Sequence, residues 1–516
     1  MALQIQGSVS HPAGEQPSVE EWSATADPFA GRVHVEWDAT APVTPFGQLP
    51  FFIDFLKQAC LFDPWVADCP LYLTSPNAPS KRDLLGTVML SVLAGHRRYA
   101  HVTALRCDPV NPPLLGMRKV VSEDSVRRNL EKIEEHAGLN WLQNHLDYCT
   151  TPLLGEPWIL DMDSTVKPLY GHQEGATAGY NPRKPGRPSH SYHTYILANL
   201  RLVLRVDVLP GDEYNVKHAT DGLWSLLDRL GPARRPTLLR GDKSWGIEPV
   251  MARAEREELA YLFRLRMTTN VRRAMQRAMR QSEWTDAGQG WQGKETSLRL
   301  VGWSRQRRII LLRRKLAGDL TLTDRNDLGQ QLLSFIEVGP DKELWEYAAL
   351  VTSLDHEILT LGQLYRDRAD CENAFDELKN QWGWGGFTTQ DLTRCRLLAS
   401  TVALIYNWWS LFVRLADPGH HREAITTRPL LLSAIARQTQ HAGQTTLTIS
   451  STHAARDKAR DAYRRIAGFL AGLRKSAEQL DPLGKWYRIL SEALRHFLKG
   501  RQLQPPIRLN PAGTII

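Results

Sequence analysis

Six cysteines are spread through 516 residues with no C-x-x-C pair among them. That spacing excludes a zinc ribbon and a disulfide-stapled scaffold, and it points to a reducing compartment. No apolar run approaches the ~20 residues needed to span a bilayer. The opening MALQIQGSVSHPAGEQ has no basic stretch followed by an apolar one, so neither export nor membrane insertion is expected. A G-x-x-x-x-G-K-[ST] loop is also missing, and with it the usual cradle for a nucleotide phosphate, so no nucleotide cofactor is expected. Internal repeats and low-complexity tracts are absent. What remains is a chain about three to four times a typical domain in length. With 42% hydrophobic residues and 16 Trp it reads as several folded units. The formal charge of +8 suits a polyanionic partner without demanding one.

Six regions follow along the chain. Residues 1–45 are polar and rich in Pro, Gly and Ala, as in a flexible arm. Residues 46–150 are helical in pattern, with one helix over Lys81–Leu93 and another opened by Ser122, where Glu123 and Asp124 suit the helix dipole. Arg118, Lys119, Arg127 and Arg128 give this region a basic edge, which fits a helical DNA-binding domain; an ordinary packing domain with a solvated face fits equally. From 151 to 275 strands and helices alternate, and acids fall at strand ends: WILDMD (158–163), then room for two strands over 192–209, then Arg240-Gly241-Asp242. Residues 276–355 hold four strand candidates, 298–303, 308–313, 332–338 and 347–352, and read as an all-β insertion. Within 356–420, Ile358–Lys379 is predicted as one long helix and Leu392–Leu415 as an apolar one. Residues 421–516 are predicted helical, with a basic face over Ala454–Lys475 suited to DNA binding or dimerisation.

The chemistry lies in the acids. Asp161 and Asp163 are two apart on a predicted strand and share one face. Asp242 follows the next strand, where Gly241 allows a bend that presents the carboxylate. Gathered carboxylates suit Mg²⁺ or Mn²⁺, and two such ions activate a water or a 3′-hydroxyl and stabilise the leaving oxygen at a phosphodiester. On the long helix, Tyr365, Arg368, Glu372 and Lys379 are spaced 3, 4 and 7 apart. They fall within a wedge of about 60° on one helical face. Glu372 would complete the metal site beside phosphate-holding Arg368 and Lys379, with Tyr365 stacking or hydrogen-bonding next to them. Asp376 shares the face and is the rival third acid.

These four residues match the Y-x2-R-x3-E-x6-K signature, and the chain resembles the DDE transposases of bacterial insertion sequences. Leu160–Thr165 (LDMDST) with Gly171–Gly175 and Gly179–Pro182 is similar to the first-aspartate block. Arg240-Gly241-Asp242 is similar to the second, and Ile405-Tyr406-Asn407 to the helix after the signature. Lys243 and Trp245 depart from the small residue and Phe of that pattern. The resemblance covers about 155–415. It implies an α/β RNase H-like catalytic core interrupted by the all-β insertion and flanked by helical N- and C-terminal regions. It also implies Asp163, Asp242 and Glu372 as catalytic and metal-binding acids holding two Mg²⁺ or Mn²⁺ ions, with Asp161 as the competitor of Asp163. The expected activity is cut-and-paste transposition: a transposon end is cut and its 3′-hydroxyl attacks target DNA. The expected partners are terminal inverted repeats, target DNA and a second copy of the chain on DNA, in the bacterial cytoplasm. A transposase-derived DNA-binding protein without catalysis, or a metal-dependent nuclease that does not join, are the alternatives.

Further DNA contacts are expected from a basic loop, Arg183, Lys184 and Arg187, and from the Arg-rich insertion. Arg272, Arg273, Arg277 and Arg280 lead into it, and Arg305, Arg307, Arg308, Arg313, Arg314 and Lys315 occupy its middle. Trp284, Trp291 and Trp303 are candidates for stacking on an unpaired base, with a core role for each as the simpler reading. His190 and His193 lack zinc-spaced partners and read as structural or phosphate-contacting.

Overall fold

The computed structural model describes residues 23–38, 40–181, 184–214, 216–281, 283–316, 335–338, 344–451, 455–476 and 480–506. Part of the region expected to be a loose arm is ordered. Strands β1 (Ser23–Ala26) and β2 (Val33–Glu36) form a hairpin, and β3 (Val43–Thr44) joins a small sheet near the other end of the chain; residues 1–22 lie outside the described residues.

Eleven strands make one sheet. β4 (Ile159–Pro168) pairs antiparallel with β6 (Pro188–Leu197). β6 pairs in turn with short β5 (Thr177–Ala178) and with β7 (Leu202–Pro210). β8 (Leu238–Gly241) lies parallel to β4, and β9 (Tyr261–Arg264) parallel to β8. The central order is therefore β7-β6-β4-β8-β9. The parallel strands are buried on both faces, which is why β8 reads as an apolar run and not as an alternation.

The region 276–355, expected as an all-β insertion, is β-rich, and its strands prolong the sheet of β4, β6, β8 and β9. β10 (Thr285–Gly288), β11 (Trp291–Leu298), β12 (Arg307–Lys315), β13 (Phe335–Val338) and β14 (Leu344–Thr352) follow in chain order, and β14 returns antiparallel to β9 with Val351 opposite Phe263. Of the strand expected over 298–303 only Leu298 is in a strand, the end of β11, and Val301 and Gly302 form a turn. β11 begins earlier because Gln289 and Gly290, both at positive φ, close a tight hairpin after β10. Residues 332–334 of another expected strand lie outside the described residues.

The apolar helix Leu392–Ala416 is buried along nearly its whole length, as an all-round apolar sequence requires. Helix Glu135–Thr150, strand β7 and helix Pro482–Ala493 all pack on it. One hydrophobic core thus runs from Leu49 to Leu498, and the N-terminal helices share it with the sheet. Lys81–Leu93 is buried on almost every side and leaves no face to lay in a DNA groove. The Ser122 cap is present, its side chain accepting from Ser125 N at 3.3 Å. The C-terminal region is not helical throughout: β15 (Ala436–His441) and β16 (Gln444–Ile449) form a hairpin around Ala442-Gly443, both at positive φ.

Asn407 stitches this helix to the sheet. Its amide accepts from Val203 N at 2.9 Å and donates to Val203 O at 2.8 Å, fully buried. Asn407→Leu leaves both backbone groups without partners, and a loss of about 2 kcal/mol is expected in urea unfolding. An unchanged midpoint would mean that Val203 finds other partners.

Candidate active site

The two aspartates of β4 point the same way and meet different cations. Asp161 faces its parallel neighbour Arg240 on β8, with Nε–Oδ1 2.5 Å and Nη2–Oδ2 2.6 Å. Both side chains are shut off from solvent, and Arg240 also donates to the Leu364 carbonyl. Both oxygens of Asp161 are taken by Arg240, and burial separates it from Asp163, its rival as the first acid. Asp163 keeps 18% of its side-chain surface. Its Oδ2 accepts from Arg368 Nη2 at 2.6 Å and its Oδ1 from Ser164 N at 2.7 Å.

Asp242 follows β8 and accepts from Ser244 N at 2.9 Å, an Asx turn that holds the carboxylate at the strand end. Gly241 serves a different purpose from the one expected. Its φ is not positive. A Cβ there would come within 2.7 Å of Trp245 Cδ1, so Gly241 makes room for the fully buried Trp245 ring.

The predicted long helix is two. Ile358–Arg366 and Ala369–Gln381 meet at a tight turn where Arg368 N bonds Tyr365 O (3.2 Å) and Cys371 N bonds Arg368 O (2.9 Å). Three-residue bonds replace four-residue ones for that turn as Arg368 reaches inward to β4. Arg368 is 4% exposed and bridges Asp163 to Glu372 Oε1 (2.8 Å), while its Nε has no hydrogen-bond partner. Burial works against its charge, but Asp163, Tyr365, Asp242 and Glu372 outweigh that and hold its pKa well above the ordinary arginine value. The Glu372 side chain is 62% exposed. Tyr365 packs half-buried against a small apolar cluster, which pushes its hydroxyl up. Lys379, expected to hold phosphate, donates to Val166 O at 2.9 Å and so ties the helix to β4. Asp376 accepts from Asn380 at 2.6 Å. Buried Glu377 anchors the same helix, accepting from Trp382 Nε1, His421 Nε2 and Ala424 N at 3.0, 2.7 and 2.9 Å.

The result is three carboxylates around one guanidinium. Among the described residues, no three Asp, Glu, His or Cys side chains lie close enough together to hold one metal ion. The acids nonetheless feel one another. Asp163 is pushed up to about 7, by burial first and by the charges of Asp242 and Glu372, against the pull of Arg368 and the Ser164 amide. An acid with a raised folded pKa costs stability when it ionises, a cost that grows as pH rises above the unfolded value near 3.8 and is complete past about 7. Asp163→Asn removes that charge. A stability gain on the order of 2 kcal/mol at pH 7.5, vanishing near pH 4, is expected from denaturation at the two pH values. Equal stability at pH 7.5 would show that Arg368 fully compensates Asp163.

The expected DNA contacts separate into two groups. Arg307 is 4% exposed and paired with Glu248 (2.5 Å) and Glu255 (2.7 Å), and Arg308 is held by Glu295 (2.5 Å) and two carbonyls. Arg307 is thus committed to acids inside the protein, while Arg308 stays partly exposed beside Glu295. Trp303 is buried, and Trp284, Trp291 and Trp303 lie beneath Arg313, Arg314 and Arg307 at 4.1, 4.9 and 5.1 Å, so each ring already has a cation on it. By contrast Arg272, Arg273, Arg277 and Arg280 are solvent-facing or nearly so along Thr269–Met279, whose Val271, Ala274, Met275 and Ala278 are buried. Arg273, Arg277, Arg280 and Arg299 line a groove of about 450 Å³ with no acid in its wall among the described residues. Arg299 is a residue the sequence reading passed over. Lys184 and Arg187 are exposed and lie over the Tyr170 ring, each 4.8 Å from its centroid; Arg183 lies outside the described residues. His190 and His193 bond the Glu174 and Glu213 carbonyls at 2.8 and 3.0 Å and are buried, which makes them structural. Arg240 was also missed, although a charged residue inside the apolar run of β8 is a signal for a buried partner.

A mixed α/β fold with one aspartate in the middle of β4, another just past β8 and a helix glutamate beside them is the frame on which the comparisons fall. Residues 77–470 match the model of the family "Transposase DDE domain group 1". The chain belongs to that family, whose members are transposases. No curated protein matches the chain. Among solved structures, the cryo-EM synaptic complex of piggyBac transposase with hairpin DNA aligns over 91% of this chain and 88% of that one, at 10% identity and a TM-score of 0.36. No helix among the described residues is long and apolar enough to cross a membrane.

Proposed function

We propose that the chain is the transposase of a bacterial insertion sequence, which binds the element's terminal inverted repeats, cuts there and joins the freed 3′-hydroxyl to target DNA. The observation that carries this reading is Arg368 bridging Asp163 and Glu372, with Asp242 close enough to raise Asp163. The strand order β7-β6-β4-β8-β9, three antiparallel strands then two parallel, supports an RNase H-like core with strands 285–352 as its insertion. Residues 46–150 then flank the core as a helical region, and 421–516 as helices around the β15–β16 hairpin.

Asp163, Asp242 and Glu372 are the residues that would hold two Mg²⁺ or Mn²⁺ ions. The donor set fits: all-oxygen ligands suit hard cations, and three carboxylates against one guanidinium leave an excess of negative charge. When bound, such ions lower the pKa of the attacking hydroxyl and stabilise the leaving oxygen. The chain's own residues set the stage. Asp242 is oriented by Ser244, Asp163 by Ser164, and the buried Arg368 gathers strand and helix acids into one place. The exposed Glu372 leaves room for a phosphodiester to approach. The acid-free groove of Arg273, Arg277, Arg280 and Arg299 suits the DNA backbone, and paired ends suit a homodimer on DNA.

Inverted repeats flanking the gene supply the substrate. A labelled end duplex, target plasmid and Mg²⁺ are expected to give a joined product with the wild-type chain. Cleavage without joining would support a nuclease, and no reaction a DNA-binding derivative.

A further inference from the structure

A second basic pocket lies apart from the three carboxylates. Its cavity of about 350 Å³ is walled by the β6–β7 turn, the first turn of helix Ala369–Gln381 and the end of helix Leu392–Ala416. That volume falls in the ~300–1,000 Å³ range of small-ligand sites. Asp370 lines it, and two residues along a helix turn the side chain by about 200°, so the pocket and Glu372 occupy different sides of the same helix.

Two guanidiniums form the wall. Arg414 is 4% exposed; its Nη2 donates to the Leu200 carbonyl at 3.0 Å and its Nε has no hydrogen-bond partner. Asp417, the acid nearest to it in sequence, is paired with Arg422 at 2.5 Å. Burial holds the Arg414 pKa below the ordinary arginine value, the sign of a cation short of counter-charge. Arg201, on the turn, is paired with Asp370 at 2.9 Å and with Glu423 at 4.0 Å, and adopts φ +52°, a conformation bulky side chains enter only under constraint. His420 and His496 stand exposed at the rim, and Phe497 adds an apolar wall.

A phosphate supplies what Arg414 lacks, a negative counter-charge, beside an Arg201 that already faces Asp370 and Glu423. We infer that the pocket between the β6–β7 turn and Arg414 is a phosphate-binding site for a ligand of nucleotide size, carried by a free nucleotide or by a DNA strand. The site stands independently of the carboxylate chemistry, since its readout is binding.

Calorimetric titration of the full chain with inorganic phosphate, and with a deoxynucleoside monophosphate set against the same nucleoside without phosphate, tests it. Both phosphates are expected to bind, the nucleoside at least tenfold more weakly. Arg201→Gln and Arg414→Gln are each expected to weaken phosphate binding at least tenfold. Because Arg414 also supports Leu200, a second measurement uses the unaltered chain: phosphate should slow diethyl pyrocarbonate labelling of His420 and His496 at least threefold and leave exposed His441 unchanged. Displacement of the nucleotide by a short duplex assigns the pocket to a DNA phosphate, and persistence of binding assigns it to a free one. Absence of phosphate binding, or wild-type binding in both variants with unchanged histidine labelling, overturns the inference.

Discussion

Asp163→Ala, Asp242→Ala and Glu372→Ala are each expected to lower strand cleavage and joining at the transposon end by at least about a thousandfold, because groups that act together on one phosphodiester fail together. DNA binding should change little, since the acid-free arginine groove is a separate surface. Asp376→Ala is the matched control. Its carboxylate is turned to Asn380, and activity within threefold of wild type is expected. The reverse pattern, with Asp376→Ala inactive and Glu372→Ala active, would exchange the two residues in the site. Single-turnover assays on a labelled end duplex read these effects directly.

Asp161→Ala and Arg240→Ala are expected to cost about 3–5 kcal/mol each, because either one strands its partner as an uncompensated charge in the core. Burial already pushes Asp161 up despite the hydrogen bonds of Arg240, so with Arg240 removed little offsets its desolvation. Arg240 also holds the Leu364 carbonyl, which makes its loss the more damaging of the two. A double replacement, Asp161→Leu with Arg240→Met, removes both charges and should recover much of the loss. Urea unfolding of the three variants is the measurement, and additive losses in the double variant would sink the ion-pair explanation. Together with Asp163→Asn, which should gain stability while losing activity, this series separates two aspartates that lie two residues apart.

The local patterns were readable because they depend on neighbours in the chain. The alternating acids of β4, the strand-end Asp242, the Ser122 cap and the all-apolar helix Leu392–Ala416 follow from periodicity and short-range hydrogen bonds. What the sequence could not show was the distant partner. Arg307, expected as a DNA contact, pairs with Glu248 and Glu255, more than 50 positions away. The long helix broke because Arg368 turns inward to an acid 205 positions upstream.

By itself the sequence determined that acids, arginines and a signature helix are present at spacings suited to phosphodiester chemistry. It also determined that the chain folds as mixed α/β with a β-rich stretch before that helix. The tertiary structure alone decided which charge each charged residue meets. Asp161 finds Arg240 across 79 positions and is sealed in, whereas Asp163 on the same strand finds the buried Arg368 of the helix turn and keeps 18% of its side-chain surface. A carboxylate's role depends on its desolvation and its counter-ion, and neither is a property of its own neighbourhood in the chain.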